Sequence, residues 1–321
     1  MNATIFLVSE KVLTLFLIVF AGIYARKINI LDWSSTKKLS AFLLNVTQPL
    51  MIITSFQIDF DAEKLKEGAG IFILSVCIHV FVAAASFLLF KPVKDFEKRK
   101  VFQLSAIFGN CAFLGFPVLK VVFGDDLGIF YGAFYTMFFN IFIWTYGVYL
   151  ISKKENADET GNKIKFPVRK IFLNAGMISS AAGILIFALR IKMPPFLFNS
   201  AKLVGDMTFP LAMVIIGSLI CDIKLREIFA KKQNYYFIFI KLIILPVIIL
   251  CACRLLSLPR LYLYMGALMT AMPSAANAAI FAETYESDAQ CGAANVGLST
   301  LLSIVSIPFI IWLIELTINR L

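Results

Sequence analysis

The chain has a single histidine, His79, in 321 residues, and its six cysteines show no paired metal-ligand spacing. Imidazole or thiolate metal centres therefore have little to work with. Cys77, Cys111, Cys221, Cys251, Cys253 and Cys291 lie in or at the ends of apolar runs, where a thiol behaves as a small hydrophobe. No glycine-rich phosphate loop, nucleophile motif or intramembrane protease motif is present, which argues against ATP-driven transport and against an enzyme. Polar stretches are also scarce: the long polar connection is Ser152 to Lys170, leaving little for a soluble domain.

Hydrocarbon is abundant instead. Hydrophobic residues make up 60% of the chain, phenylalanine alone contributes 32, and the mean hydropathy is +0.85. Such a composition exceeds what a soluble core can hide and indicates a polytopic membrane protein. Ten runs reach the roughly 20 residues needed to cross a bilayer: 5–25, 34–56, 68–90, 100–122, 127–151, 170–190, 197–221, 234–255, 259–283 and 289–315. The first has no basic region before it and no clear small-residue cleavage site after it, so a retained helix is expected.

The net charge of +10 does not indicate nucleic acid, because the basic residues sit in short loops between apolar runs. With the amino terminus outside, nineteen Lys and Arg fall on the cytoplasmic side, in clusters such as Lys91 to Lys100 and Lys153 to Lys170, against eight outside. The positive-inside rule then places both termini on the non-cytoplasmic side of the cell (inner) membrane. The loop carrying Glu283, Glu286 and Asp288 runs against this trend.

The polar connection divides the chain into five spans at 1–151, a cytoplasmic linker at 152–168, and five spans at 169–321. An odd number per half forces the halves into opposite orientations. A shift of 161 residues superposes Ala21-Gly22-Ile23 on Ala182-Gly183-Ile184, Ile30 on Ile191, Thr47 on Thr208 and Pro49-Leu50 on Pro210-Leu211. These seven identities within 30 positions point to an inverted repeat.

Nearly the same shift pairs two interrupted spans, broken at Gly109 to Pro117 and at Met272 to Asn277. Every backbone N–H and C=O in a bilayer needs a partner, so an unwound stretch survives only where protein or a polar cavity surrounds it. The amino end of a half-helix carries unsatisfied N–H groups and partial positive charge, which favours an anion. Small carboxylates are the leading substrate class.

Five motifs together resemble the auxin efflux carrier family in its compact bacterial form, over nearly the whole chain. They are Asn45-Val46-Thr47-Gln48-Pro49-Leu50; Gly109-Asn110 through Gly115-Phe116-Pro117; Phe209-Pro210-Leu211 to Gly217; Ala271-Met272-Pro273 with Phe281-Ala282 and Tyr285; and Leu298-Ser299-Thr300-Leu301 to Pro308. The resemblance implies an all-α integral membrane fold like that of the bile-acid/sodium symporters: ten transmembrane helices in two inverted five-helix repeats, with broken helices 4 and 9 crossing. It implies a scaffold of helices 1, 2, 6 and 7, and a transport domain of helices 3–5 and 8–10 that moves as an elevator. A homodimer through the scaffold and organic-acid substrates such as malate are also implied. The chain lacks the long cytoplasmic loop of the long plant carriers, so auxin is not the expected substrate.

The candidate substrate-binding residues are Asn110, Cys111, Gly115, Ser274 and Asn277. Either asparagine can hydrogen-bond a carboxylate or cap freed backbone groups. Gly109, Pro117 and Pro273 are expected to break the helices at the crossover. Asn45, Gln48, Asp206 and Thr208 are candidate coupling or scaffold-side polar residues. A buried carboxylate at Asp206 would bind protons, whereas a place near a water-filled crevice or the dimer seam, paired with Lys202 one turn earlier, would make it structural.

Lys241 is expected to snorkel toward the cytoplasm or to pair with Glu283, and His79 to be a packed histidine. No cofactor is expected apart from coupling to H+ or Na+. The expected partners are the organic anion, membrane lipid and a second copy, with no nucleic acid. The rival readings are an uncoupled, voltage-driven uniporter or channel-like pathway, and a membrane ligand sensor that does not transport.

Overall fold

A backbone surrounded by apolar side chains has to satisfy its own hydrogen bonds, and the helix does so within one segment. The computed structural model describes residues 2–154, 173–221 and 232–318; among these there is no β-strand, and the only extended pairing is one antiparallel bridge. Of the linker placed at 152–168, all but Ser152, Lys153 and Lys154 lies outside the described residues.

Five described helices are long and apolar enough to cross a membrane: Ala62–Leu89, Asp126–Ser152, Pro195–Cys221, Lys232–Leu255 and Ala289–Ile318. Of the other expected spans, the first is the continuous helix Asn2–Lys27, and the rest are shorter or interrupted. Ala175–Ala188 is one such short helix. The run at 100–122 is split into Phe96–Ile107 and Cys111–Phe123, and the run at 259–283 into Arg260–Ala271 and Asn277–Thr284.

Proline leaves a repeated mark on these helices. Turns of π-helix occupy Leu43–Thr47, Cys111–Gly115 and Ile240–Ile244, and in each case a proline follows two residues later: Pro49, Pro117 and Pro246. A proline ring has no N–H and clashes with the carbonyl four residues back, so the ladder widens just before it. A fourth π turn, Ile143–Gly147, has no such proline.

The chain divides into two compact units. The first comprises Met1–Ile73, Cys111–Met137 and Leu173–Ile223. Within it the Asn2–Lys27 helix runs against Thr208–Cys221 at backbone contact. A Cβ on Gly22 would lie 2.1 Å from the Val214 carbonyl oxygen, and one on Gly217 would lie 2.1 Å from that of Val19. Only glycine permits this approach, which is how helices gain dispersion contact in a medium without a hydrophobic driving force.

Buried Thr36 and Ser218 join hydroxyls at 2.8 Å, and Asp32 caps the Trp33–Phe42 helix by accepting from the Ser35 N–H at 2.6 Å. At the edge of this unit Lys192 donates to Asp59 at 2.9 Å, while the Met193 N–H donates to the Gln57 side-chain oxygen at 2.8 Å.

The second unit comprises Leu74–Asn110, Phe138–Phe172 and Lys224–Leu321. Its centre is aromatic. Buried His79 sits among the rings of Phe108, Phe138, Phe139 and Phe142, with Nδ1 2.7 Å from the Ser75 carbonyl oxygen. Lys100, also buried, donates to the carbonyls of Ile151 and Lys153 at the end of the fifth apolar run and pairs with Glu97 at 2.9 Å. Basic charge at a helix carboxyl end is favourable.

Candidate functional site

In the second unit the Phe96–Ile107 helix starts at Asp95, whose carboxylate accepts from the Lys98 N–H at 3.1 Å, and stops when Phe108 turns extended. Arg260–Ala271 stops in the same way, with Met272 at φ −59° and ψ 139°. The two freed strands of backbone then meet. The Asn110 N–H donates to the Pro273 carbonyl at 2.6 Å, the Ala275 N–H donates to the Phe108 carbonyl at 2.9 Å, and Gly109 faces Ser274 as an antiparallel pair. Each broken helix leaves orphan donors and acceptors, which cost several kcal/mol apiece in an apolar medium (about 4 to 8 in hydrocarbon). Here each chain repairs the other.

Side chains complete the repair. The Ser274 N–H donates to the Ser299 hydroxyl at 3.0 Å, and the Ser274 hydroxyl donates to the Ser105 carbonyl at 3.0 Å. The Asn295 amide donates to the Ser105 hydroxyl at 3.0 Å. Ser105, Ser274, Asn295 and Ser299 are buried. Asn295, Ser299, Ser303 and Ser306 form one polar stripe of the Ala289–Ile318 helix, all buried. Their helical spacing stood in the sequence as a signal, yet only Ser299 entered the expectation above, and that as part of a family motif.

The crossing is crowded at Gly109: a Cβ there would lie 3.3 Å from the carbonyl oxygens of both Met269 and Met272. Pro273 lies within the extended segment and supplies its carbonyl to Asn110. Pro117 differs from the expectation. The break falls at Phe108 to Asn110, upstream of it, and Pro117 lies inside the continuous helical stretch Cys111–Phe123, two residues past its π turn.

Asn110 is buried, and Asn277 is half-buried as the first residue of the Asn277–Thr284 helix. The cap position belongs to Ala276, which has no side chain able to bond the helix end. Asn277 is therefore not the cap. Cys111 and Gly115 fall in the first unit, as the two ends of its buried π turn.

Lys241 also departs from expectation. It neither snorkels nor pairs with Glu283, which is exposed; it is 1% exposed, and its Nζ donates to the carbonyls of Ala106 at 2.9 Å and Thr270 at 3.3 Å. Those oxygens belong to the last turns of the two helices that stop at the crossing. The carboxyl ends of both half-helices thus converge on one ammonium group.

The four polar residues of the first unit are placed separately. Gln48 and Thr208 are buried, and among the described residues Gln48 Oε1 and Thr208 Oγ1 find no hydrogen-bond partner. Asn45 is exposed and donates to the Ala41 carbonyl at 2.8 Å. Asp206 is exposed rather than buried, and Lys202 pairs with Asp126 at 3.5 Å rather than with Asp206.

Comparison with known proteins places this apolar chain among membrane transporters. The family model described as membrane transport protein matches residues 7–311. An uncharacterized transporter of Methanocaldococcus jannaschii is 22% identical over 316 residues, covering 95% of this chain and 98% of the relative. An uncharacterized transporter of Methanothermobacter thermautotrophicus is 24% identical over 311 residues, covering 94% and 96%. With nearly its whole length matched and no enzyme among these relatives, the chain belongs to the membrane transport protein family, that of the auxin efflux carriers, and is a multi-pass membrane transporter.

Proposed function

We propose that the protein is a secondary carrier of small organic anions, mono- or dicarboxylates such as malate, working by elevator-like alternating access at the crossing of the fourth and ninth spans. The observation that carries this reading is the mutual pairing of Phe108 to Asn110 with Pro273 to Ala275 between two interrupted apolar helices. Crossed half-helices concentrate dipole ends at one place. Their carboxyl ends meet Lys241, while the helix that resumes at Asn277 has an amino end with no side-chain cap. An amino end of that kind suits a carboxylate, and Asn110, Ser274 and Asn277 stand in or beside the crossing to hold one.

Residues of both repeats in the crossing favour an inverted-repeat origin, and the exposed polar pair Asn45 and Asp206 on the first unit favours a homodimer that covers them. The reading is tested by reconstituting the purified protein in liposomes and measuring uptake of labelled mono- and dicarboxylates under imposed proton, sodium and voltage gradients. Saturable uptake of an organic acid supports it. Absence of flux for every acid tried, with specific binding retained, would favour a sensor instead.

A further inference from the structure

Carbonyl oxygens at the carboxyl ends of broken helices are the groups with which carriers coordinate small coupling cations. In this protein those groups already face a cation. Lys241 reaches the last turn of Phe96–Ile107 through Ala106 and the last turn of Arg260–Ala271 through Thr270, from a span that is neither of them. It stands in the Ile240–Ile244 π turn, which Pro246 follows two residues later. A Cβ on Gly109 would approach Nζ to 3.4 Å, so the crossing backbone closes over the amine.

We infer that Lys241 is the resident cation of the crossing: its ammonium holds the two carbonyl ends together in the place of a free metal cation, and removing it opens a site for one. An ammonium group and a sodium ion are alternative ways to neutralise two converging negative dipole ends, and one position holds one of them. The carrier therefore needs no sodium at its crossing. That consequence for coupling rests on the carrier reading above, whereas the cation exchange itself does not, so absence of organic-acid flux leaves the inference standing.

The test is thermal unfolding of the full-length protein in detergent, in sodium, lithium or methylammonium chloride against choline chloride at equal ionic strength. Wild type is expected to unfold at the same temperature in all four salts. Lys241→Ala should unfold several degrees lower in choline and recover saturably with at least one small cation, because a ligand that binds only the folded state stabilises it. Lys241→Met, which refills the hydrocarbon volume without charge, should fall and stay low.

Saturable stabilisation of wild type by sodium over choline would overturn the inference, as would a Lys241→Ala midpoint indifferent to every cation. If Lys241→Ala cannot be purified folded, Lys241→Gln decides: a midpoint equal to wild type shows the charge to be idle and overturns the inference, while a lowered midpoint restored by small cations supports it.

Discussion

The Asn110 N–H and the Pro273 carbonyl lie 2.6 Å apart, joined by a backbone hydrogen bond between residues from opposite halves of the chain. Proline at 273 cannot donate to a helix ladder, but its carbonyl remains an acceptor. The residue that ends one helix therefore repairs the other. Because the bond uses the backbone of Asn110, the side chain can change without breaking the crossing.

Asn110→Ala and Asn277→Ala are accordingly expected to keep the fold and to lower organic-acid uptake by at least about tenfold each, equivalent to about 1.4 kcal/mol of lost ligand interaction. Uptake in liposomes, with size-exclusion behaviour as the folding control, checks both. Unchanged affinity in both variants would remove the two amides from the substrate site.

Gly109→Ala acts on the backbone instead. Its methyl group would press on the carbonyls of Met269 and Met272 at 3.3 Å, and backbone on both sides leaves little room to give. A loss of about 1 to 3 kcal/mol of stability is expected, in the range of overpacked cores. A thermal unfolding midpoint equal to wild type would show that the crossing is looser than its contacts indicate.

At one end of the Ala289–Ile318 helix the buried Glu315 carboxylate accepts from Arg260 at 3.1 Å and from the Tyr264 hydroxyl. Arg260→Met would strip a buried carboxylate of its cation, and Glu315→Gln would remove the need for one. The expected order is therefore Arg260→Met less stable than Arg260→Met combined with Glu315→Gln, by about 1 kcal/mol once solvent access to Arg260 is allowed for. A double-mutant cycle on unfolding midpoints reads the coupling; simple additivity would deny it.

Asp206 is exposed midway along the apolar Pro195–Cys221 span. A lipid-facing carboxylate at that depth is costly, so the proposed homodimer should cover it. Asp206→Lys is expected to shift the detergent-purified protein toward monomer in light scattering. If it remains dimeric to the same extent, Asp206 lies outside the seam.

Much of the crossing was legible in the chain itself. Gly109, Pro273 and Asn110 stand out in apolar runs because each has a local property, the lack of a Cβ, of an N–H or of an apolar side chain, that a continuous bilayer helix does not use. Pro117 misled for the same reason. A proline marks the neighbourhood of an irregularity without saying where the ladder opens, and here the break lies seven to nine residues upstream with a π turn between. The polar stripe from Asn295 to Ser306 was visible as helical spacing, but spacing alone does not tell a face turned to a neighbouring helix from one turned elsewhere.

By itself, the sequence determined that the protein resides in a membrane, that two of its spans are broken, and which family it belongs to. The first two follow from composition and from residues read one segment at a time, and the family from motifs taken together along nearly the whole chain. Only the tertiary structure decided that Lys241 meets Ala106, 135 residues away, and Thr270, 29 residues away, and that Asp206 is uncovered within its unit. The direction of a side chain from a helix, and the carbonyl it finds there, follow from how distant segments pack. A lysine in an apolar run has the same sequence signature whether it reaches for solvent or closes the ends of two helices.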